Sequence, residues 1–141
     1  MKIIDDYKFD GEGYNPFLIT NKWQVAYLNY AEAESLEQID KLDIHHHTDE
    51  VFVLLQGQAA LIGASITDDN IVYDVVDMHS GIVYNIPKDA WHKIAMKPGS
   101  QVLIIENNHT HLGDFEFYEL SDSQKAYLRE CVNRIVSITD N

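Results

Sequence analysis

The chain has 141 residues, with 23 acidic side chains against 10 basic ones and a formal net charge of -13. That length suits one domain, residues 1–141, whose core buries roughly two-thirds of the extended surface. The charge opposes contact with nucleic acid or an anionic membrane surface, and no Lys/Arg cluster offsets it. The apolar runs are far shorter than the ~18 residues of a membrane span. No basic stretch leading into an apolar run marks a signal peptide, so a cytoplasmic protein is expected. Cys131, the only cysteine, has no internal partner and reads as a buried thiol.

In chain order, residues 1–15, with Gly11 and Gly13, read as a loosely held arm. From Trp23 to Leu120 the chain reads as short strands. WQVAYLNY is aromatic and β-branched, and LEQIDKLDI is a weaker, alternating strand. VFVLLQGQAALIGA reads as two strands hinged at Gly57. Asp68-Asp69-Asn70 is a turn before IVYDVV. IVYNIP, HKIAM and QVLIIEN follow, separated by Pro87 and by Pro98-Gly99, and DFEFYEL alternates cleanly. Many short strands at this spacing predict a β-sandwich or small barrel. VFVLL and VLII are apolar on both faces and need cover on each side. After Ser121 the period changes. Ser121 with Gln124 forms a capping-box pattern, and Tyr127, Leu128, Cys131, Val132 and Ile135 recur at helical spacing. A helix over about 122–136 is expected, closing one end of the sheets or packing on a dimer mate.

The stretch IHHHTDEVFVLLQG, Ile44 to Gly57, sets three histidines and an acidic pair before an apolar strand. Metal ligation needs lone pairs converging on one point, and His with carboxylate suits zinc, manganese, iron or nickel. A distant strand supplies a further candidate. If HKIAMK is extended, His92 shares a face with Ile94 and Met96 and points inward. Glu50 likewise shares a face with Phe52 and Leu54. A buried carboxylate beside a buried histidine needs a partner, either a metal ion or a direct His–Glu hydrogen bond. His109, His111 and His79 read as exposed loop residues. Glu106 ends its strand facing the barrel mouth, Tyr73 and Tyr84 are wall residues, and Trp91 packs on the side opposite His92.

Two motifs give the chain a resemblance to the cupin superfamily. The first family motif is His-x-His, three or four residues, Glu, six residues, Gly. Glu50 and Gly57 match its second half. The second is Gly, five residues, Pro-x-Gly, two residues, His, three residues, Asn. Gly81, Pro87 and His92 match in register, while Asp89 replaces its second glycine and Met96 its asparagine. The resemblance implies an all-β, cupin-type double-stranded β-helix, a jelly-roll barrel over about 23–120, followed by the C-terminal helix. It also implies a divalent transition metal (Mn, Fe, Ni or Zn), a small-molecule ligand and a homodimer. The first motif has three registers here. A four-residue gap before Glu50 selects His45 and puts Asp43 in the first ligand position. A three-residue gap selects His46 and leaves Ile44 first. A shortened turn selects His45 with His47. The expected ligands are therefore His45, His47, Glu50 and His92, with Asp43 as an alternative fourth. Affinity should fall below pH ~6 as the histidines protonate.

The function expected from this resemblance is a metal-binding cupin, an isomerase, epimerase or oxygenase acting on a small oxygenated metabolite such as a sugar or hydroxy acid. Glu50 is the candidate catalytic residue, as a free general base if no metal binds. The alternative is a non-catalytic, small-molecule-binding or sensory cupin without metal. The departures at Asp89, Met96 and the first histidine position lean toward it.

Overall fold

The computed structural model describes residues 1–138. The last three residues of the expected 1–141 domain lie outside them. Ten strands form two antiparallel sheets of five. The strands are β1 (Gly13–Ile19), β2 (Trp23–Asn29), β3 (Lys41–Ile44), β4 (Glu50–Gln56), β5 (Ala59–Thr67), β6 (Asn70–Asp77), β7 (Val83–Ile86), β8 (Trp91–Met96), β9 (Gln101–Asn107) and β10 (Glu116–Glu119). One sheet runs β1-β2-β9-β4-β7 and the other β10-β3-β8-β5-β6. Among the described residues no strand pairing joins one sheet to the other, so the expected barrel takes the form of two sheets.

Apart from the β1–β2 and β5–β6 hairpins, each connection carries the chain from one sheet to the other. Gly57 makes the crossing between β4 and β5. Its φ is +85°, and a Cβ there would stand 2.6 Å from the Ser100 Cα, so a side chain is excluded twice over. The histidine tract crosses from β3 to β4, and Pro87 to Ala90 cross from β7 to β8. Asp89 N–H donates to the His45 carbonyl at 2.8 Å, so these two crossings lie together at one end. Asp89 has φ 64°. Aspartate is among the few side chains that enter this region at modest cost, which accounts for its standing at a motif glycine.

Two cores follow from the strand alternation. Between the sheets lie Ala26, Leu28, Phe52, Leu54, Leu61, Ile94, Met96, Val102 and Ile104. On the far side of the second sheet, Leu42, Ala60, Ile62 and Ala95 pack with Leu128 and Val132 of helix α2 (Asp122–Ile135). Leu128 and Val132 of the α2 stripe therefore cover the helix's own sheet, while Tyr127 and Ile135 stay exposed. Its capping box is present: Ser121 accepts from the Gln124 N–H, and Gln124 accepts from the Ser121 N–H. Trp91 faces this outer core, opposite His92.

Three expectations are corrected. The arm is shorter than residues 1–15, because Gly13–Ile19 form edge strand β1 and the sheets begin ten residues before Trp23. Pro16 hid this strand; proline is tolerated at an edge, and the register shifts between Pro16 and Leu18. LEQIDKLDI is a strand only over Lys41–Ile44, with a 3-10 turn at Leu36–Gln38. Residues Thr110–Gly113, read as loop, form a one-turn helix, α1.

Candidate metal centre

Glu50 opens β4 and His92 stands second in β8, both with their side chains turned between the sheets. Gly63 is paired opposite His92 on β5 and leaves the neighbouring position free of side chain. His45 follows β3 directly. It reaches the same point because the tract folds over Asp114, whose carboxylate accepts the N–H of His46 at 2.9 Å and of His47 at 3.0 Å. Burial opposes ionisation of Asp114, but these N–H groups outweigh it and lower its pKa.

Nε2 of His45 lies 2.7 Å from Oε2 of Glu50, and Nε2 of His92 lies 2.9 Å from the same oxygen. One ligand atom from each residue falls within 4.8 Å of the others. The far nitrogens are committed. Nδ1 of His45 is 2.6 Å from the Asp114 carbonyl, and Nδ1 of His92 is 3.0 Å from the Ala90 carbonyl. A carbonyl only accepts, so each Nδ1 carries a hydrogen. In the neutral ring Nε2 is then a bare lone pair. Two such lone pairs facing one carboxylate oxygen at these distances repel unless a cation joins them, as protons on the rings or as a metal ion. With protons alone, two imidazoliums would surround the single, buried Glu50 carboxylate. A metal ion satisfies all three groups at once, and backbone carbonyls holding Nδ1–H are the usual support for ligating histidines. The residues present therefore fit a divalent ion.

The electrostatics are those of a metal-free site. Burial lowers the pKa of His45, but the hydrogen bond and charge of Glu50 outweigh it and raise it to about 9. Burial likewise opposes ionisation of Glu50, and the two histidines overcome it and hold the carboxyl at about 2.

The cluster lies in a cavity of about 200 Å³. Tyr14, Glu34, Asp43, Lys93, Glu106 and His111 supply the other polar walls. Asp43, the alternative fourth ligand, lines this cavity outside the cluster and pairs with Lys93 Nζ at 3.2 Å. His47 is not brought here. It is exposed, and its backbone is held by Asp114 and by the Asn107 side chain. His46 is outside as well, between Asp89 at 2.7 Å and Glu116 at 3.2 Å. His79 and His109 are exposed, but His111, read as an exposed loop residue, lines the cavity. Its Nδ1 is 3.0 Å from the amide nitrogen of Gln24.

Glu106 is 6% exposed. Its Oε1 accepts from the Tyr14 hydroxyl at 2.6 Å and from Gln24 Nε2 at 3.2 Å, while its Oε2 has no partner. Burial, and then the charge of Glu50, raise its pKa to about 7. Sequence reading placed Glu106 at the mouth but missed Tyr14, Gln24 and Asp114. No local pattern marks them, since their contacts span 69 to 92 residues.

Among solved structures, the chain is similar to a cupin-2 domain containing protein from Shewanella frigidimarina NCIMB 400. The two are 21% identical over 71% of this chain and 85% of that one, with a TM-score of 0.49. It is similar to hydroquinone 1,2-dioxygenase from Sphingomonas sp. TTNP3, at 10% identity over 77% and 81% of the two chains and a TM-score of 0.52. It is also similar to PAC13 of Streptomyces, at 10% identity over 85% and 97% and a TM-score of 0.53. No family model matches the sequence, and no curated protein does. At these identities the likeness carries the fold alone, a cupin-like one.

Proposed function

We propose that the protein is a small metal-dependent cupin-type enzyme acting on a small oxygenated metabolite, with one divalent ion of Mn, Fe, Ni or Zn held by His45, Glu50 and His92. One observation carries this reading. Two histidines, each with Nδ1–H fixed on a backbone carbonyl, aim Nε2 at one buried carboxylate oxygen inside a cavity. When bound, the ion would supply Lewis acidity toward a ligand oxygen. The chain's own residues do the rest. Asp114 and Ala90 carbonyls fix the tautomers of the two histidines. Phe52, Ile94 and Ile104 exclude water from the inner wall. Isomerisation, epimerisation and oxidation are all open to such a site.

The proposal extends to the architecture. The two sheets are read as the halves of a jelly-roll barrel, and the outer face of the first sheet as covered by a second copy of the chain.

The test is elemental analysis of protein prepared without an affinity tag. The proposal predicts about one ion per chain in wild type. A His92→Ala variant should lose most of it while keeping its far-ultraviolet spectrum. Wild-type protein that holds no ion, even after incubation with each of the four metals, would overturn the reading.

A further inference from the structure

Two carboxylates of the cavity, Asp43 and Glu106, have a buried oxygen without a partner, and Glu106 is the more deeply buried. On β4 and β9 the pair Val51↔Ile105 sets the register. One step further, the same register puts Glu106 opposite Glu50, both on the inner face. Side chains so placed start about 5 Å apart at Cβ. Two donors, Tyr14 and Gln24, crowd onto Oε1 of Glu106 and fix the carboxyl plane. The Gln24 amide is itself oriented, because its oxygen accepts the His109 N–H at 2.8 Å. Oε2 is left without a partner, in a residue that lines the cavity and is more than nine-tenths buried. A buried polar atom with no partner is costly, and native interiors leave few of them.

Charge then selects what fills the space. A divalent ion bound nearby favours the ionised form of Glu106, so the carboxylates of Glu50 and Glu106 then balance it, and Lys93 is matched by Asp43. An anionic ligand would enter with no cation left to meet it. Glu34, also in the wall, adds no positive charge. A neutral molecule with a hydroxyl hydrogen satisfies Oε2 without adding charge.

We propose that Oε2 of Glu106 is the ligand-contacting acceptor of this cavity, and that the ligand is a neutral molecule with adjacent oxygens, one of which donates a hydroxyl hydrogen to it. The second oxygen faces the His45–Glu50–His92 cluster, so the proposal rests on the metal reading above. Tyr14 and Gln24 are positioning residues for the carboxyl.

The experiment is calorimetric titration of zinc-loaded, tag-free protein with two probes, dihydroxyacetone as the neutral hydroxyketone and glycolate as its anionic counterpart. Glu106→Gln keeps the shape and removes the charge. It should retain its zinc, bind dihydroxyacetone about tenfold more weakly and bind glycolate more tightly than wild type, because a charge-assisted hydrogen bond is roughly twice as strong as a neutral one. Opposite signs for the two probes separate contact from mere structural disturbance. Loss of zinc in the variant, equal affinities, weakening of both probes alike, or a wild type that binds neither probe would each overturn the proposal. Tyr14→Phe keeps the carboxylate and frees its plane. Should Glu106→Gln fail to fold, weaker dihydroxyacetone binding by Tyr14→Phe with zinc retained supports the proposal, and unchanged binding overturns it. A wild type that takes up no zinc is loaded with whichever of manganese, iron or nickel it holds, and one that takes up none of the four defeats the metal reading alone. The same titrations on metal-free protein then decide the contact by the same comparison.

Discussion

His45 and Glu50 titrate in opposite directions, and the pH behaviour of the metal-free protein follows from that. The pKa of His45 rises from 6.5 to about 9 on folding. Its stabilisation is therefore full below pH ~6.5 and is lost as pH rises through about 9. Glu50 falls from 4.5 to about 2, so its contribution is present above pH ~4.5 and is lost as pH falls through about 2. Glu106, raised from 4.5 to about 7, opposes folding once ionised and removes stability as pH rises between those values. Chelator-treated protein should be most stable near pH ~4.5, where the His45 and Glu50 contributions are in place and Glu106 is still protonated, and its Tm should decline toward pH 9, as read by thermal denaturation; a flat profile would contradict the pairing. Metal must displace the proton on His45, so metal affinity should weaken from pH ~9 downward, well above the pH ~6 expected from an ordinary histidine. The support beneath the tract is testable in the same way. Asp114→Ala should lower zinc affinity about tenfold in a chelator competition, because the peptide N–H groups of His46 and His47 lose their anchor. Strand phase made Glu50 and His92 legible, since each alternates with known core residues. His47 was not excluded from the sequence, because phase is undefined in a crossing between sheets.

The crossings matter more than the strands for placing the site. Gly57 shows what one of them requires. Gly57→Ala should cost about 1–2 kcal/mol from its left-handed backbone alone. The clash with Ser100 adds to this, so the urea midpoint should drop clearly at unchanged m. A midpoint equal to wild type would show that the β4–β5 crossing is less constrained than its geometry indicates. The central strands were readable because their apolar, β-rich runs are uninterrupted between turn residues. Edge strand β1 was not, since Asn15-Pro16 carries loop chemistry and only its pairing with β2 makes it a strand. That omission also hid Tyr14, whose role depends on belonging to β1. Helix α2 was legible from both its cap and its period, although only the structure shows that Leu128 and Val132 are the part of its stripe that the second sheet covers.

At the scale of the molecule, the two sheets differ in what covers them. The second has the shared core on one face and α2 on the other. Among the described residues the first has no helix on its outer face; there Phe17 and then Tyr7 stack from Tyr27, and the strand registers align Val25, Ile105 and Val51 in one row and Tyr27, Leu103, Val53 and Val83 in the next. Val83 is 67% exposed. A face this apolar resembles the obligate interfaces of homodimers, and the proposed dimer places it there. Sedimentation velocity at micromolar concentration should show about twice 16.2 kDa for wild type. Val53→Glu should shift the protein to monomer, whereas a wild type sedimenting only as monomer would reject the dimer. Among the described residues no helix is long and apolar enough to cross a membrane.

The central claim is that His45 and His92 carry hydrogen on Nδ1 and offer Nε2 to a shared cation. Long-range proton–nitrogen correlation spectra of 15N-histidine-labelled protein read this directly, with and without zinc, at pH 7.5. The account predicts that the metal-free protein shows His45 protonated on both nitrogens. On adding one equivalent of zinc, both rings should become Nδ1–H tautomers, with their Nε2 resonances moved by ligation. Spectra in which either ring is a neutral Nε2–H tautomer, or in which zinc leaves both Nε2 resonances unmoved, would contradict it.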